Sequence, residues 1–176
     1  MQSQDLPPTL LLTSQKTEPM LEVERKFLVK SNAYKSEAQT QIRIVQGFLN
    51  TDPERTVRVR IKGDKGFLTI KGKGNDTGTT RFEWEKEISF SDATDLIDLC
   101  EAVILEKIRY EIPVGKHIFE VDEFLGENKG LVVAEVELQH EDEVFIKPDW
   151  LGLEVTGDVN YYNSQLSQHP FLSWES

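Results

Sequence analysis

Charged residues occupy alternate positions in seven stretches of this chain, and the stretches differ in sign. Leu21–Val29 (LEVERKFLV) carries Glu22, Glu24 and Lys26 at even positions, with Leu21, Val23, Phe27 and Val29 at odd ones. Thr56–Lys62 (TVRVRIK) sets Arg58, Arg60 and Lys62 against Val57, Val59 and Ile61, and Lys71 ends FLTIK. Phe82–Phe90 (FEWEKEISF) offers Glu83, Glu85 and Glu87; the pairs Lys107/Arg109, Glu120/Asp122 and Glu135/Glu137 follow. A strand sends successive side chains to opposite faces, so each stretch would present charge on one face and apolar surface on the other. Arginine and lysine rows suit phosphate oxygens, which they hold through charge-assisted hydrogen bonds. Glutamate rows suit Mg2+ or Mn2+, hard cations that prefer oxygen ligands. Together they would take a ligand that is highly anionic and metal-bound.

An ordinary sheet with one solvated face alternates in the same way. Yet glutamate and lysine are poor strand formers, and a solvated face would carry more Thr, Ser, Gln and mixed charge. Sorting by sign fits a closed barrel whose interior holds water and charge while its outside packs under helices and loops. Phosphoryl transfer inside such a barrel needs positioning and charge neutralisation rather than a covalent nucleophile.

The elements that must position these residues are short and closely connected. After Leu21–Val29 come a loop with a helical turn over 31–38 and a strand over Gln41–Leu49. Thr56–Lys62 and Phe67–Lys71 form a hairpin across the turn Gly63–Gly66. Gly72–Thr80 reads as a polar loop and contains no P-loop string. After Phe82–Phe90, Ser91 is placed to cap a helix from Asp92 to about Ala102, with Leu96, Leu99 and Val103 as its apolar stripe. Ile104–Val114, Lys116–Leu125, Leu131–Gln139 and Trp150–Val155 read as strands, and Tyr161–Ser167 as a short helix. The total is about eight mostly antiparallel strands with few helices.

The 176 residues suit one domain over 20–176, preceded by a Pro-, Ser- and Thr-rich leader over 1–19 without periodicity. A net charge of −11 argues against nucleic acid or an anionic membrane as partner, leaving a small molecule. The single cysteine, Cys100, excludes an internal disulfide and suits the reducing cytoplasm. His117, His140 and His169 lack metal-ligand spacing and read as surface or loop residues, and no Ser or Cys has a triad partner. Oligomeric state is not written in the pattern.

In order along the chain stand E-x-E-x-K (Glu22–Lys26), TVRVR (Thr56–Arg60), TIKG (Thr69–Gly72) and R-x-E-x-E-x-E (Arg81–Glu87). E-K-x-R-Y (Glu106–Tyr110), V-D-x-F (Val121–Phe124), A-E-V-E-L (Ala134–Leu138), WLGLEVT and YYN complete the series. This ordered set resembles the CYTH group, also called triphosphate tunnel metalloenzymes, from Leu21 to about Leu166. The resemblance implies an α+β, mainly β fold: a closed eight-stranded antiparallel tunnel with a few flanking helices. It implies hydrolysis of a triphosphate with Mg2+ or Mn2+; with no recognisable organic-group pocket in the sequence, inorganic tripolyphosphate is the first-choice substrate and nucleoside triphosphates the second. Arg58, Arg60, Lys71, Lys107 and Arg109 would hold phosphates, with Lys26 touching a phosphate or orienting carboxylates. Glu22, Glu24, Glu135 and Glu137 would hold metal, and Asp122, Glu83 and Glu85 would assist a second metal or the attacking water. Two other functions fit the same residues: an adenylate cyclase, which the family also contains, and a non-catalytic polyphosphate- or nucleotide-binding module. The second would leave the carboxylate rows unexplained.

Overall fold

The computed structural model describes residues 21–174, so the expected leader over 1–19 lies outside the described residues. Nine strands follow in order: β1 Leu21–Val29, β2 Thr40–Asn50, β3 Arg55–Lys62, β4 Lys65–Gly74, β5 Thr80–Ile88, β6 Glu101–Val114, β7 His117–Phe124, β8 Val132–Leu138 and β9 Leu151–Glu154. Three α-helices accompany them: α1 Tyr34–Glu37, α2 Phe90–Ile97 and α3 Asn163–Gln168. Spatially the strands run β5-β4-β3-β2-β6-β7-β8-β1-β9, and a further β5–β1 pairing closes the first eight into a ring. Every pairing is antiparallel. The expected eight-stranded tunnel is present, and β9 adds an outer strand beside the last residues of β1. The closing seam is short, joining Leu21–Val23 to Thr80–Phe82.

Strand parity decides what faces where. The outward side of β1, β6, β7 and β8 contributes Val23, Phe27, Tyr110, Ile112, Phe119, Val121, Ala134 and Val136 to one core, covered by Tyr34 of α1, Trp150 and Leu151. Trp150 stands edge-on to Phe119 at 5.5 Å, and its Nε1–H donates to Glu37 at 3.1 Å. Burying each such aromatic contributes about 1.5–3 kcal/mol, so this layer can hold the barrel closed around a charged interior. The inward side carries a second cluster of Phe48, Leu105, Phe124, Leu131 and Val133, capped by Leu166 of α3. These residues lie at the ends of β2 and β7 and the starts of β6 and β8, so they plug one end of the tunnel.

α2 lies outside β3 and β4. It packs so closely that a Cβ on Gly66 would stand 2.5 Å from Ala93 Cβ and 2.8 Å from the Ser89 carbonyl oxygen. The expected helix over 92–102 is corrected here. Ser89, not Ser91, is the cap, its hydroxyl accepting from the Asp92 N–H at 3.0 Å. The helix ends at Ile97 because Glu101 already pairs with Phe48 in β6, and Leu99, expected on the buried stripe, is 71% exposed. β4 continues two residues past the expected loop start, to Gly74. Beyond it the loop meets the turn after β9: a Cβ on Gly78 would be 2.5 Å from the Gly157 Cα, and φ is +70° and +78° at these two glycines. Among the described residues no helix is long and apolar enough to cross a membrane.

Candidate active site: a charged tunnel

The inward faces enclose a cavity of about 510 Å3 lined by seven cationic and seven carboxylate side chains. That size lies within the range of small-molecule sites, but the lining is far more polar than usual. Around the ring the signs separate into arcs. β4, β3 and β6 supply Lys71, Arg58, Arg60, Lys62 and Arg109; β5, β1, β8 and β7 supply Glu83, Glu85, Glu22, Glu24, Glu135, Glu137 and Glu120. Lys26 on β1 and Arg81 on β5 are cations within the acidic arc. β2 separates the two basic strands with an uncharged inward row.

Each cation is held by carboxylates. Arg58 and Arg60 both donate through Nη2 to Glu85, at 3.2 and 2.9 Å, and Thr69 donates to the same carboxylate at 2.7 Å. Lys71 bridges Glu22 at 2.9 Å and Glu83 at 2.5 Å, while the Arg81 Nε–H donates to Glu22 at 3.2 Å. Lys26 pairs with Glu135 and lies 3.4 Å from Glu24, beneath the ring of Tyr162. Arg109 makes a two-pronged bond to Asp122, at 2.7 and 2.6 Å, and reaches Glu120 and Glu135 as well.

These contacts and the low dielectric shift the titrations. Burial opposes the charge on Glu22, yet Lys71, Arg81 and a hydrogen bond with Glu83 hold its carboxyl well below the usual range. Its neighbour Glu83 goes the other way: burial and the bond shared with Glu22 push it up to about 7. Glu135 outweighs burial with help from Lys26, Arg109 and Lys107 and stays well below the ordinary carboxylate value. Burial presses Arg60 down to about 10, aided by the Arg58 charge, so it remains a cation at neutral pH. Lys26 stays above its ordinary value because Glu135 and Glu24 overcome its burial.

Two expected site residues stand elsewhere. Lys107 and Asp122, each 1% exposed, lie beneath the lining rather than on it. Asp122 gives one oxygen to Arg109 and the other to both Arg109 and Lys107, while Lys107 also donates to the Asn163 side chain at 3.3 Å. Asp122 therefore grips two cations instead of presenting free oxygens to the cavity. Burial lowers Lys107 to about 8 despite the attraction of Asp122. His117 is corrected too: its imidazole, 8% exposed, bonds Glu143 at 3.0 Å and meets the Phe145 ring edge-on. Several lining residues were assigned no role from sequence. Arg81 and Lys62 shared the parity of their charged neighbours, but Tyr162 and Ser164 had no chemical signal beyond their place in and beside YYN.

A family model described as the CYTH domain matches residues 20–166. The chain belongs to the CYTH family. Two curated relatives named inorganic triphosphatase align over nearly their whole length. The one from Acetivibrio thermocellus is 47% identical over 155 residues, 88% of this chain and 97% of the relative. The one from Nitrosomonas europaea is 36% identical over 153 residues, 84% of this chain and 97% of the relative. A crystal structure of an inorganic triphosphatase superposes with a TM-score of 0.60 at 33% identity, covering 83% of this chain and 93% of that one. A Pyrococcus horikoshii protein shares the fold with a TM-score of 0.56 at 17% identity, covering 68% of this chain and 80% of that one.

The CYTH tunnel metalloenzymes use a divalent metal, and the donor set of this CYTH chain fits one. Glu24 and Glu137 are directly opposed across β1 and β8, an arrangement that repels, and Lys26, 3.4 Å from Glu24 but paired with Glu135, offsets it only in part. Burial raises Glu137, and Glu22, Glu120 and Glu24 add to the shift, so negative charge is in excess there. Among the described residues no three His, Cys, Asp or Glu side chains already converge on one point. Two carboxylates completed by substrate phosphates is the usual Mg2+ arrangement. The charge balance argues the same way: with seven cations matched by seven carboxylates, the lining has no surplus to neutralise a polyanion.

Proposed function

We propose that the protein is a hydrolase of phosphoanhydride bonds, an inorganic triphosphatase that converts tripolyphosphate and water into pyrophosphate and phosphate. The carrying observation is the tunnel itself: opposed arcs of buried charge, each cation pre-aimed by a carboxylate, in a cavity closed at one end by apolar side chains. Near-complete alignment with two inorganic triphosphatases supports the same activity. The residue roles are our reading. Arg58, Arg60, Lys71 and Arg109 exchange their carboxylate partners for phosphoryl oxygens, an exchange of like hydrogen bonds that costs little desolvation. Lys26 keeps Glu24 and Glu135 apart and oriented. Glu22, Glu24, Glu135 and Glu137 would hold Mg2+ or Mn2+, which when bound neutralises phosphoryl charge and acidifies water. Glu83, raised to about 7, is poised to take the proton that the attacking water loses. The water oxygen then bonds to phosphorus as the P–O bond to the leaving pyrophosphate breaks.

The test is to incubate tripolyphosphate and ATP separately with Mg2+ or Mn2+ and resolve the products. Phosphate and pyrophosphate from tripolyphosphate are expected. Cyclic AMP from ATP would favour the cyclase, and binding without turnover of either compound would favour the binding module.

A further inference from the structure

The inward row of β2 is Ile42, Ile44, Gln46 and Phe48, one carboxamide among apolar groups. Gln46 is fully buried, and neither its amide nitrogen nor its amide oxygen has a hydrogen-bond partner among the described residues. Burying an unpaired amide is costly, and methionine would fill the same volume without that cost. The strand register explains what the amide is near: its Cα partners are Arg60 on β3 and Leu105 on β6. Arg60 carries the complementary defect. Its Nη2 is on Glu85, but its Nε–H is buried and has no acceptor among the described residues. A directly opposed pair thus holds an unused acceptor and an unused donor.

We infer that Gln46 is a positioning residue for Arg60. When a phosphoryl group draws the guanidinium away from Glu85, the Gln46 carbonyl oxygen accepts the Arg60 Nε–H. That fixes the plane of the guanidinium and leaves the Nη1/Nη2 edge for two-pronged contact with phosphate. A neutral acceptor suits this task. Glu85 holds Arg60 by opposing its charge and must be displaced, whereas a carboxamide orients the cation without cancelling the charge the polyanion needs. The inference rests on the reading that Arg60 is a phosphate ligand.

The experiment compares Gln46→Met, Arg60→Ala and the double variant by kcat/KM for tripolyphosphate at saturating metal, alongside thermal melts of each free protein. Gln46→Met should melt at or above the wild-type temperature, because it removes an unpaired buried amide. Its kcat/KM should fall roughly 10- to 100-fold, the range for a lost hydrogen bond to a charged group. The double variant should be no worse than Arg60→Ala, since Gln46 acts only through Arg60. Wild-type kinetics in Arg60→Ala would overturn the phosphate-ligand reading itself. A crippled Arg60→Ala with an unaffected Gln46→Met, or with additive losses in the double variant, would overturn the role of Gln46 alone. So would a melt of Gln46→Met well below wild type, which would mean that the amide already has a partner in the free protein.

Discussion

Replacing Asp122 with asparagine separates the two roles this carboxylate could serve. In the structure it neutralises Lys107, which lies beneath the lining, and Arg109, which is buried at the cavity wall. Removing one partner of a buried ion pair costs about 3–5 kcal/mol in general, because the other charge is stranded. Here Lys107 has an escape. Its ordinary value is 10.5 and its value in the fold about 8, so at pH 7 it can surrender its proton for roughly 1.4 kcal/mol more than it already costs. Arg109 has no such escape but keeps Glu120 and Glu135, so its lost two-pronged bond contributes about 1.5–3 kcal/mol. The total near neutrality is about 3–4 kcal/mol, or a melting temperature lower by roughly 6–16 °C for a chain of this size. The sign of the pH dependence follows. Lys107 is depressed in the fold, so its charge costs stability below about 8, and that cost fades as pH rises toward 10.5. The gap between wild type and Asp122→Asn should therefore narrow between pH 7 and 9.5, leaving the share of Arg109. Denaturant unfolding at three pH values, with a metal titration of tripolyphosphate hydrolysis, measures all of this. A loss under about 1 kcal/mol, a pH-independent gap, or activity restored by extra Mg2+ would refute the reasoning and make Asp122 a metal ligand instead.

Glu24→Gln and Arg58→Ala should fail differently: raising Mn2+ or Mg2+ should partly restore the first by mass action and do little for the second, and identical metal-insensitive losses would contradict the division of labour. Glu83 is raised to about 7 in the fold, so ionising it costs stability that is recovered as pH falls from about 7 toward 4.5. Glu22 and Glu135 are depressed and lose their contribution below about 4.5, so metal-free melts should peak in mild acid, and Glu83→Gln should flatten the fall on the alkaline side of the peak. Gly66→Ala should cost about 1–3 kcal/mol in denaturant unfolding, since the new methyl meets Ala93 and a backbone oxygen. A chain starting at Met20 should keep metal-dependent hydrolysis, measured as phosphate release; a folded but inactive product would assign residues 1–19 a role.

What the sequence determined by itself is the parity and sign of each strand. A period of two is local, so Glu22, Glu24 and Lys26, or Arg58 and Arg60, had to share a face wherever their strands went. Their unusual sorting by sign was enough to expect a charged interior and a phosphate-and-metal chemistry. Tertiary structure decided the rest, because it depends on which strands meet and at what register. Ring closure between β1 and β5 put Arg81 against Glu22 and completed the acidic arc. Depth along the tunnel is set by the stagger of neighbouring strands, not by parity, and it placed Lys107 and Asp122 below the lining although they alternate in step with Arg109 and Glu120. α2 stopped at Ile97 because β6 claimed the following residues to pair with β2, a long-range demand that helical periodicity cannot register. Gln46 read as one polar residue in an apolar strand. Only its pairing with Arg60 on one side and Leu105 on the other shows that its amide is enclosed directly opposite a guanidinium whose Nε–H lacks an acceptor among the described residues.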